Sequence, residues 1–376
     1  MKGIALKVLI AGGGVIGMMQ ARELAQHGLD VVLIDKGVCG AEASWAGGGI
    51  ISPLYPWRYS EPVSALARWS QAYYPNLIES LEAESDIDPE LTRHGLMMLS
   101  VKDYDEALVW AKDFQAWLNV IESTDIYQLE PQLRPGFREA LWMPQVASVR
   151  NPRLLKALRM SLERLPNVEF HEEDGVRELV NQDNSRVCAV TNRGLVFDAD
   201  RAVVCSGAWT PEILSSLAPR IEPVKGQMIL FEAPQGLVNR VVLKDGQYVL
   251  PRRDGSVIAG STLEYKGFDK TPTEKEKEAL ADMAIDLFPE LARCPIRHHW
   301  AGLRPGSVDG VPLIGAVPNM SGVYVNAGHF RNGLVLAPAS VRLMTSLMLD
   351  EAPPVDPQPY DLSKASAQRS SPYPAS

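Results

Sequence analysis

Cysteine is scarce in this chain. Only Cys39, Cys188, Cys205 and Cys294 occur among 376 residues, and no two stand at C-x-x-C spacing. That excludes a zinc ribbon or a dithiol motif and suits four reduced thiols in a cytoplasmic protein. Positive charge is also short: 37 Lys and Arg stand against 46 Asp and Glu, a formal net charge of -9. A surface of that sign repels phosphate backbones, so nucleic acid is not an expected partner. No run of about 18 apolar residues occurs, so no membrane span is expected. Met1 to Ile10 lacks a small-residue cleavage site after a longer apolar stretch, so it reads as a first strand rather than a secretion signal. HExxH, GxSxG and a framed Cys/His pair are missing, which removes the zincin and serine-hydrolase classes and leaves no metal site to expect.

What is present is ordinary globular composition, 46% hydrophobic and 22% charged. The length suits two consecutive or interleaved domains. Lys7 to Ala11 is short and apolar, Val15 to His27 reads as a helix stopped by Gly28, and Val31 to Ile34 is a β-branched run ending at Asp35. Strand, tight turn, helix and strand make a βαβ unit, which opens a parallel sheet. Further helices are expected over Glu61–Ala83, Asp103–Asn119, Pro152–Arg164 (Asn151 as its cap), Thr273–Leu287 (Thr273 as its cap) and about Asn332–Leu349. Trp110, Phe114 and Trp117 recur at helical spacing and are read as a buried helix face. Strands are expected near Val168, over Val176–Val180, Val187–Thr191 and Ala202–Cys205, and near His299–Leu303 and Val323–Val325. Val224–Phe231, Tyr248–Pro251 and Ser256–Gly260, broken by Asp-Gly turns, read as an antiparallel sheet. The Pro- and Ser-rich tail, 351–376, is expected to be ordered only in part.

Gly12-Gly13-Gly14-Val15-Ile16-Gly17 matches G-x-G-x-x-G between the first strand and first helix. Such glycines allow a tight turn, close approach of the backbone to a pyrophosphate, and close helix–strand packing. The helix N-terminus then presents unpaired N–H groups and a positive dipole end to the phosphates. Asp35, 23 positions beyond Gly12, can accept the hydroxyls of an adenosine ribose and would repel a 2′-phosphate. The loop therefore speaks for NAD or FAD over NADP and does not choose between them.

Three more segments favour a flavin. Gly40 to Ile51 holds Glu42-Ala43-Ser44-Trp45-Ala46-Gly47-Gly48-Gly49-Ile50, a short helix start followed by glycines that let the chain hug a flat ring. Ser206-Gly207-Ala208-Trp209 and Gly328-His329-Phe330-Arg331-Asn332-Gly333 each stand where a strand feeds a helix. With VKGQ (Val224–Gln227), AGLRP (Ala301–Pro305) and GVPLIG (Gly310–Gly315), these strings together resemble the D-amino-acid oxidase family of flavoenzymes. Within it they are most similar to the glycine oxidase branch linked to thiamine biosynthesis. The resemblance runs to about residue 350.

That resemblance implies an α/β fold: a Rossmann-like FAD-binding domain (1–85, 145–222 and 296–350) interleaved with an α+β substrate domain on an antiparallel sheet (86–144 and 223–295). It implies that Gly12, Gly14, Val15, Ile16, Gly17, Asp35 and Lys36 meet the adenosine and pyrophosphate of FAD. Ala43, Ser44, Gly48, Gly49 and Ile50 would contact pyrophosphate and flavin, Val176 the adenine, and Gly207 the cofactor. His329, Phe330, Arg331, Asn332, Gly333, Leu334 and Val335 would wrap the pyrimidine edge. No cysteine follows Cys294, so the FAD is expected to be non-covalent. A helix N-terminus aimed at the flavin N1–C2=O edge would stabilise the charge gained there on reduction.

The family's carboxylate arginine matches Arg304, its neighbouring tyrosine matches Tyr248, and Arg331 is a third candidate beside flavin and substrate. A planar guanidinium fork suits a carboxylate. The implied reaction is oxidative deamination of glycine, sarcosine or small D-amino acids with molecular oxygen, by a cytoplasmic homo-oligomer, tetramers being usual for the branch. Two rivals stay open: a dehydrogenase of similar amines using another electron acceptor, and a non-catalytic FAD-binding partner protein.

Overall fold

The computed structural model describes residues 6–181 and 186–363. Met1–Ala5 of the expected first strand, and 364–376 of the tail, lie outside the described residues. The βαβ unit forms as expected: β1 (Lys7–Ala11), α1 (Val15–Gln26) and β2 (Asp30–Ile34). Gly28 ends the unit's helix with a left-handed φ of +82°.

β1 lies inside a six-stranded sheet. Its order is Leu313–Ala316, Val323–Ala327, Arg201–Val204, β1, β2, Val168–His171, and every pair but the first is parallel. The chain leaves β1 toward β2 on one side, while Arg201–Val204 flanks it on the other. A crevice therefore opens beyond the carboxyl ends of these strands, where the order reverses. One face of the sheet is covered by α1 and the helices Glu61–Ser85, Asn151–Glu163 and Gly333–Leu349. The other carries a three-stranded antiparallel sheet (Val176–Asn181, Val187–Thr191, Val196–Ala199). Phe330–Leu349 is long and apolar enough to cross a membrane by composition alone, but 72% of it is buried inside the protein. Its apolarity is that of a core helix packed on α1 and Glu61–Ser85.

The second sheet has eight strands: Ile296–Ser307, Ile221–Phe231, Val257–Gly260, Gln247–Pro251, Val241–Lys244, Leu96–Leu99, Glu139–Met143 and Asn119–Glu122. It is antiparallel except where Val241–Lys244 meets Leu96–Leu99. Both its faces are covered, each by its own apolar cluster. Ile296–Ser307 pairs with Ile221–Phe231 along nearly its whole length. This strand lies in the eight-stranded sheet, and its residues Gly302 to Pro305 reach the crevice.

Several local expectations need correction. The helix expected over Asp103–Asn119 spans only Tyr104–Asp113, because Gln115 turns left-handed (φ +49°) and the chain leaves for Asn119–Glu122. Phe114 and Trp117 are accordingly 39% and 65% exposed rather than buried. Asn151 is the first helical residue, not a cap, and Thr273 holds the cap position without a side-chain cap bond. The described part of the tail is tied down: Tyr360 is buried and its hydroxyl donates to the Pro62 carbonyl at 2.7 Å.

Candidate active site

A cavity of about 380 Å³ runs from the Gly12–Gly17 turn to the last residues of Ile296–Ser307. Its size is that of a small-molecule site. At one end the wall is backbone. Gly12 needs its φ of +110° for the turn, and a Cβ on Gly17 would lie 1.8 Å from the Gly12 carbonyl oxygen. Helix and strand can cross here only with no side chain between them. The first turn of α1 has no side-chain cap from Gly14 and no acidic residue, and Gly14, Val15 and Ile16 line the cavity there. Ser44 Oγ accepts the Val15 N–H at 2.9 Å, which ties the helix Glu42–Ala46 to this turn. Asp35 ends β2 with its carboxylate accepting the Gly13 N–H (2.6 Å) and the Gly37 N–H (2.8 Å). The loop itself thus fixes the acid, and each oxygen keeps a further acceptor position.

Beside Asp35, the Lys36 ammonium lies 3.4 Å from the Trp209 ring centroid. Gly207 and Val176 stand on the same wall, with Ala43 and Ile50 nearer the middle. At the far end His329 is buried and bonded through Nε2 to Ser340 Oγ at 3.0 Å. Burial pushes its pKa down to about 3, so the ring is neutral near pH 7. Phe330–Asn332 makes a single tight turn that feeds Gly333–Leu349, and Leu334 and Val335 complete this wall.

The remaining face is built from side chains of the eight-stranded sheet. Arg304, half-buried, donates from Nη2 to Ser261 Oγ (2.7 Å) and from Nη1 to the carbonyls of Thr262 (3.1 Å) and Lys225 (3.3 Å). Its partner strand leaves room for it: a Cβ on Gly226 would lie 2.2 Å from Nη1. Tyr248 is buried, its hydroxyl 3.9 Å from Met228 Sδ. Burial raises its pKa, against the opposing charges of Arg304, Arg252 and Arg331. All residues proposed from the sequence line this one cavity, except that Gly17 stands behind its wall as a packing residue.

Residues 7–347 match the model of the FAD dependent oxidoreductase family, DAO. The chain belongs to that family. It is 48% identical to the glycine oxidase of Pseudomonas aeruginosa over 356 residues, 94% of this chain and 98% of that one. It is 29% identical to the bifunctional protein ThiO/ThiG of Trichormus variabilis, over 92% of this chain and 53% of that longer protein. Among solved structures, the glycine oxidase of Geobacillus kaustophilus superposes with a TM-score of 0.89 at 27% identity, covering 96% of this chain and all of that one.

As a DAO family member the chain is an FAD-dependent enzyme, and its cavity fits that cofactor. The glycine turn at the start of α1 suits the pyrophosphate and Asp35 the ribose. Gly47–Gly49 leaves a strip of bare backbone where a Cβ on Gly48 would fall 2.3 Å from the Tyr248 hydroxyl. On the same wall, Asn151 Oδ1 is buried with no partner, while its Nδ2 donates to the Ser44 carbonyl at 2.7 Å. A buried acceptor of this kind is matched when a ligand donor reaches it.

Met228, Ser261 and Arg252 were not singled out from the sequence, and Asn151 was singled out there only as a helix cap. Asn151 looks like a helix cap in one dimension, and no local signal reveals its reach to Ser44. Arg252 was findable. Strand alternation puts Tyr248, Leu250 and Arg252 on one face, so an arginine following Tyr248 at four residues is aimed the same way.

Proposed function

We propose that this chain catalyses the oxidative deamination of glycine and of other small amines such as sarcosine and D-alanine. For glycine the balance is glycine, water and oxygen giving glyoxylate, ammonia and hydrogen peroxide. When bound non-covalently in the cavity, FAD supplies the two-electron acceptor that oxygen re-oxidises. Gly12, Gly14, Val15, Ile16, Asp35, Lys36 and Val176 hold its adenosine and pyrophosphate part, with Gly17 keeping α1 in place. Ala43, Ser44, Gly48, Gly49, Ile50 and Gly207 hold its middle, and His329 to Val335 its ring end.

Arg304 binds the substrate carboxylate through the edge of its fork that faces the cavity. Its other donors are committed to Ser261, Thr262 and Lys225, so the guanidinium is fixed before substrate arrives. Tyr248 and Arg331 orient the amino acid beside it. The Tyr248 phenol stays protonated and can donate a hydrogen bond, because burial holds its pKa above the ordinary value of 10.0. The buried walls contributed by Met228, Tyr248 and Phe330 keep bulk water from the reacting carbon. The neutral His329 is held by Ser340 and takes no proton in this scheme.

The observation that carries this reading is Arg304 and Tyr248 facing the same cavity as the first turn of α1. The relatives called glycine oxidase support glycine as substrate. The same reading has the product imine feed thiamine thiazole synthesis, in a cytoplasmic homotetramer, which sedimentation of the holoenzyme would check. The decisive test is the visible spectrum of the purified yellow protein, then anaerobic addition of glycine. Bleaching, followed by peroxide release on admitting air, is expected. A flavin that no small amino acid bleaches would refute the proposal, and bleaching without peroxide in air would mark a dehydrogenase.

A further inference from the structure

Arg252 is 7% exposed, and among the described residues no carboxylate lies within salt-bridge distance of it. The nearby Glu90 and Asp254 pair with Arg150 instead. A buried guanidinium without a carboxylate is costly. The cost is visible in its pKa, which burial pulls down to about 10. It still carries its charge near neutral pH. Packing alone would be served better by an apolar side chain of similar volume, so the charge and the fork have another use.

The fork is occupied in a particular way. Nη1 donates to the Val149 carbonyl and Nη2 to the Gly48 carbonyl, each at 2.8 Å. Those two carbonyls belong to adjacent, paired segments. Gly49 O accepts the Val149 N–H at 2.9 Å, the Ile51 N–H donates to the Ala147 carbonyl at 2.8 Å, and Ile50 bridges Ser148 antiparallel. Arg252 thus staples the glycine strip to the segment that leads into Asn151. It does so from the residue just beyond strand Gln247–Pro251, which carries Tyr248.

The peptide between Gly48 and Gly49 is trans, so its N–H points opposite to its carbonyl. With the Gly48 carbonyl turned to Arg252, the Gly49 N–H is turned away from it. Gly48 and Gly49 line the cavity and Arg252 does not. We propose that Arg252 is a positioning residue: by holding the Gly48 carbonyl it aims the Gly49 N–H into the cavity beside Tyr248, as a fixed donor toward the flavin. The proposal rests on the glycine-oxidising reading given above. A donor preset in this way costs no reorganisation when charge develops near it. A glycine peptide released from its staple is free to turn over, since neither Gly48 nor Gly49 has a side chain to hold it.

The test compares Arg252→Met and Arg252→Lys with Arg253→Met, a neighbour on the surface whose guanidinium pairs with Asp88. Three quantities are read on the FAD-loaded proteins: the visible spectrum with and without glycolate, a non-amine carboxylate probe; the affinity of the apoprotein for FAD; and kcat and KM for glycine. Arg252→Met is expected to shift the flavin bands and lower kcat by about ten- to a hundredfold. Its KM should move less than roughly threefold, since Arg304 is untouched. Arg252→Lys should restore part of kcat, and Arg253→Met should match wild type. An Arg252→Met protein with the wild-type spectrum and kcat overturns the proposal. If that variant does not fold, a spectrum and kcat for Arg252→Lys within roughly twofold of wild type overturn it equally. Should wild-type protein bind FAD yet leave glycine untouched, the functional reading fails, while the spectral comparison still decides the role of Arg252.

Discussion

The two ends of the cavity recognise their ligands by different means. At the Gly12–Gly17 end the donors are main-chain N–H groups at a helix terminus, and the side chains have been removed to let a ligand approach. At the Arg304 end the donor is a side-chain fork, held by two carbonyls and a hydroxyl of neighbouring segments. The first design tolerates no added atom. The second tolerates added atoms poorly and lost ones not at all, since its precision lies in the fork. Affinity for cofactor and rate on substrate should therefore separate by mutation.

The widest separation is expected at Arg304. Arg304→Ala should cost about 2–5 kcal/mol of kcat/KM for glycine, roughly thirty- to several-thousand-fold, with FAD content unchanged. Peroxide-coupled kinetics with a flavin absorbance check would show it, and an undiminished kcat/KM would remove Arg304 from substrate binding. The mirror experiment is Gly17→Ala. Its methyl has to displace the Gly12 carbonyl, so FAD affinity should fall by about 1–3 kcal/mol, read by fluorescence titration of the apoprotein. Wild-type affinity in that variant would break the contrast at its backbone end.

His329, at the far end of the cavity from the glycine turn, offers a pH test. Its folded pKa, about 3, lies below the unfolded value of 6.5. Its contribution to stability is thus present above pH 6.5 and lost as pH falls toward 3. The loss should approach about 1.4 kcal/mol per pH unit within that window. Thermal unfolding of wild type and His329→Gln from pH 7 to pH 4 should therefore converge on acidification; parallel curves would mean that His329 does not titrate there.

A smaller effect is expected at Tyr248, whose hydroxyl lies 3.9 Å from the Met228 sulfur. Tyr248→Phe should lose about 0.5–1.5 kcal/mol of kcat/KM. Because burial holds the phenol neutral, the shape of the pH profile below about 10 should not change. The smallest effect belongs to Lys270→Ala. That ammonium pairs at the surface with Glu42, at 2.7 Å, in the first turn of Glu42–Ala46. Exposed pairs are worth about 0–1 kcal/mol, and FAD affinity should fall by no more than that.

The same contrast explains what the sequence made legible. Backbone recognition needs a fixed spacing of glycines within one βαβ unit, so Gly12, Gly17 and Asp35 could be read as a group. Side-chain recognition is assembled from Tyr248, Ser261 and Arg304, which register between strands brings together. No spacing encodes that: Tyr248 and Arg304 were reached through resemblance to a family, and Ser261 was not reached at all. Asn151 was misread for the same reason, since its partner Ser44 lies on a distant segment. The aromatic run Trp110, Phe114, Trp117 failed differently. Its period of three to four is real, but the left-handed turn at Gln115 ended the helix before the last two could face inward.

The end of the described chain has a practical bearing on anyone who would cut or extend it. Tyr360 plugs the core behind the start of Glu61–Ser85, and Arg220 holds the Leu362 carbonyl at 2.7 Å. None of residues 351–363 lines the cavity. Residues 351–363 thus serve the core of the nucleotide-binding half and not the ligand. A truncation a few residues shorter would pull a cork from the nucleotide-binding half and loosen it from behind.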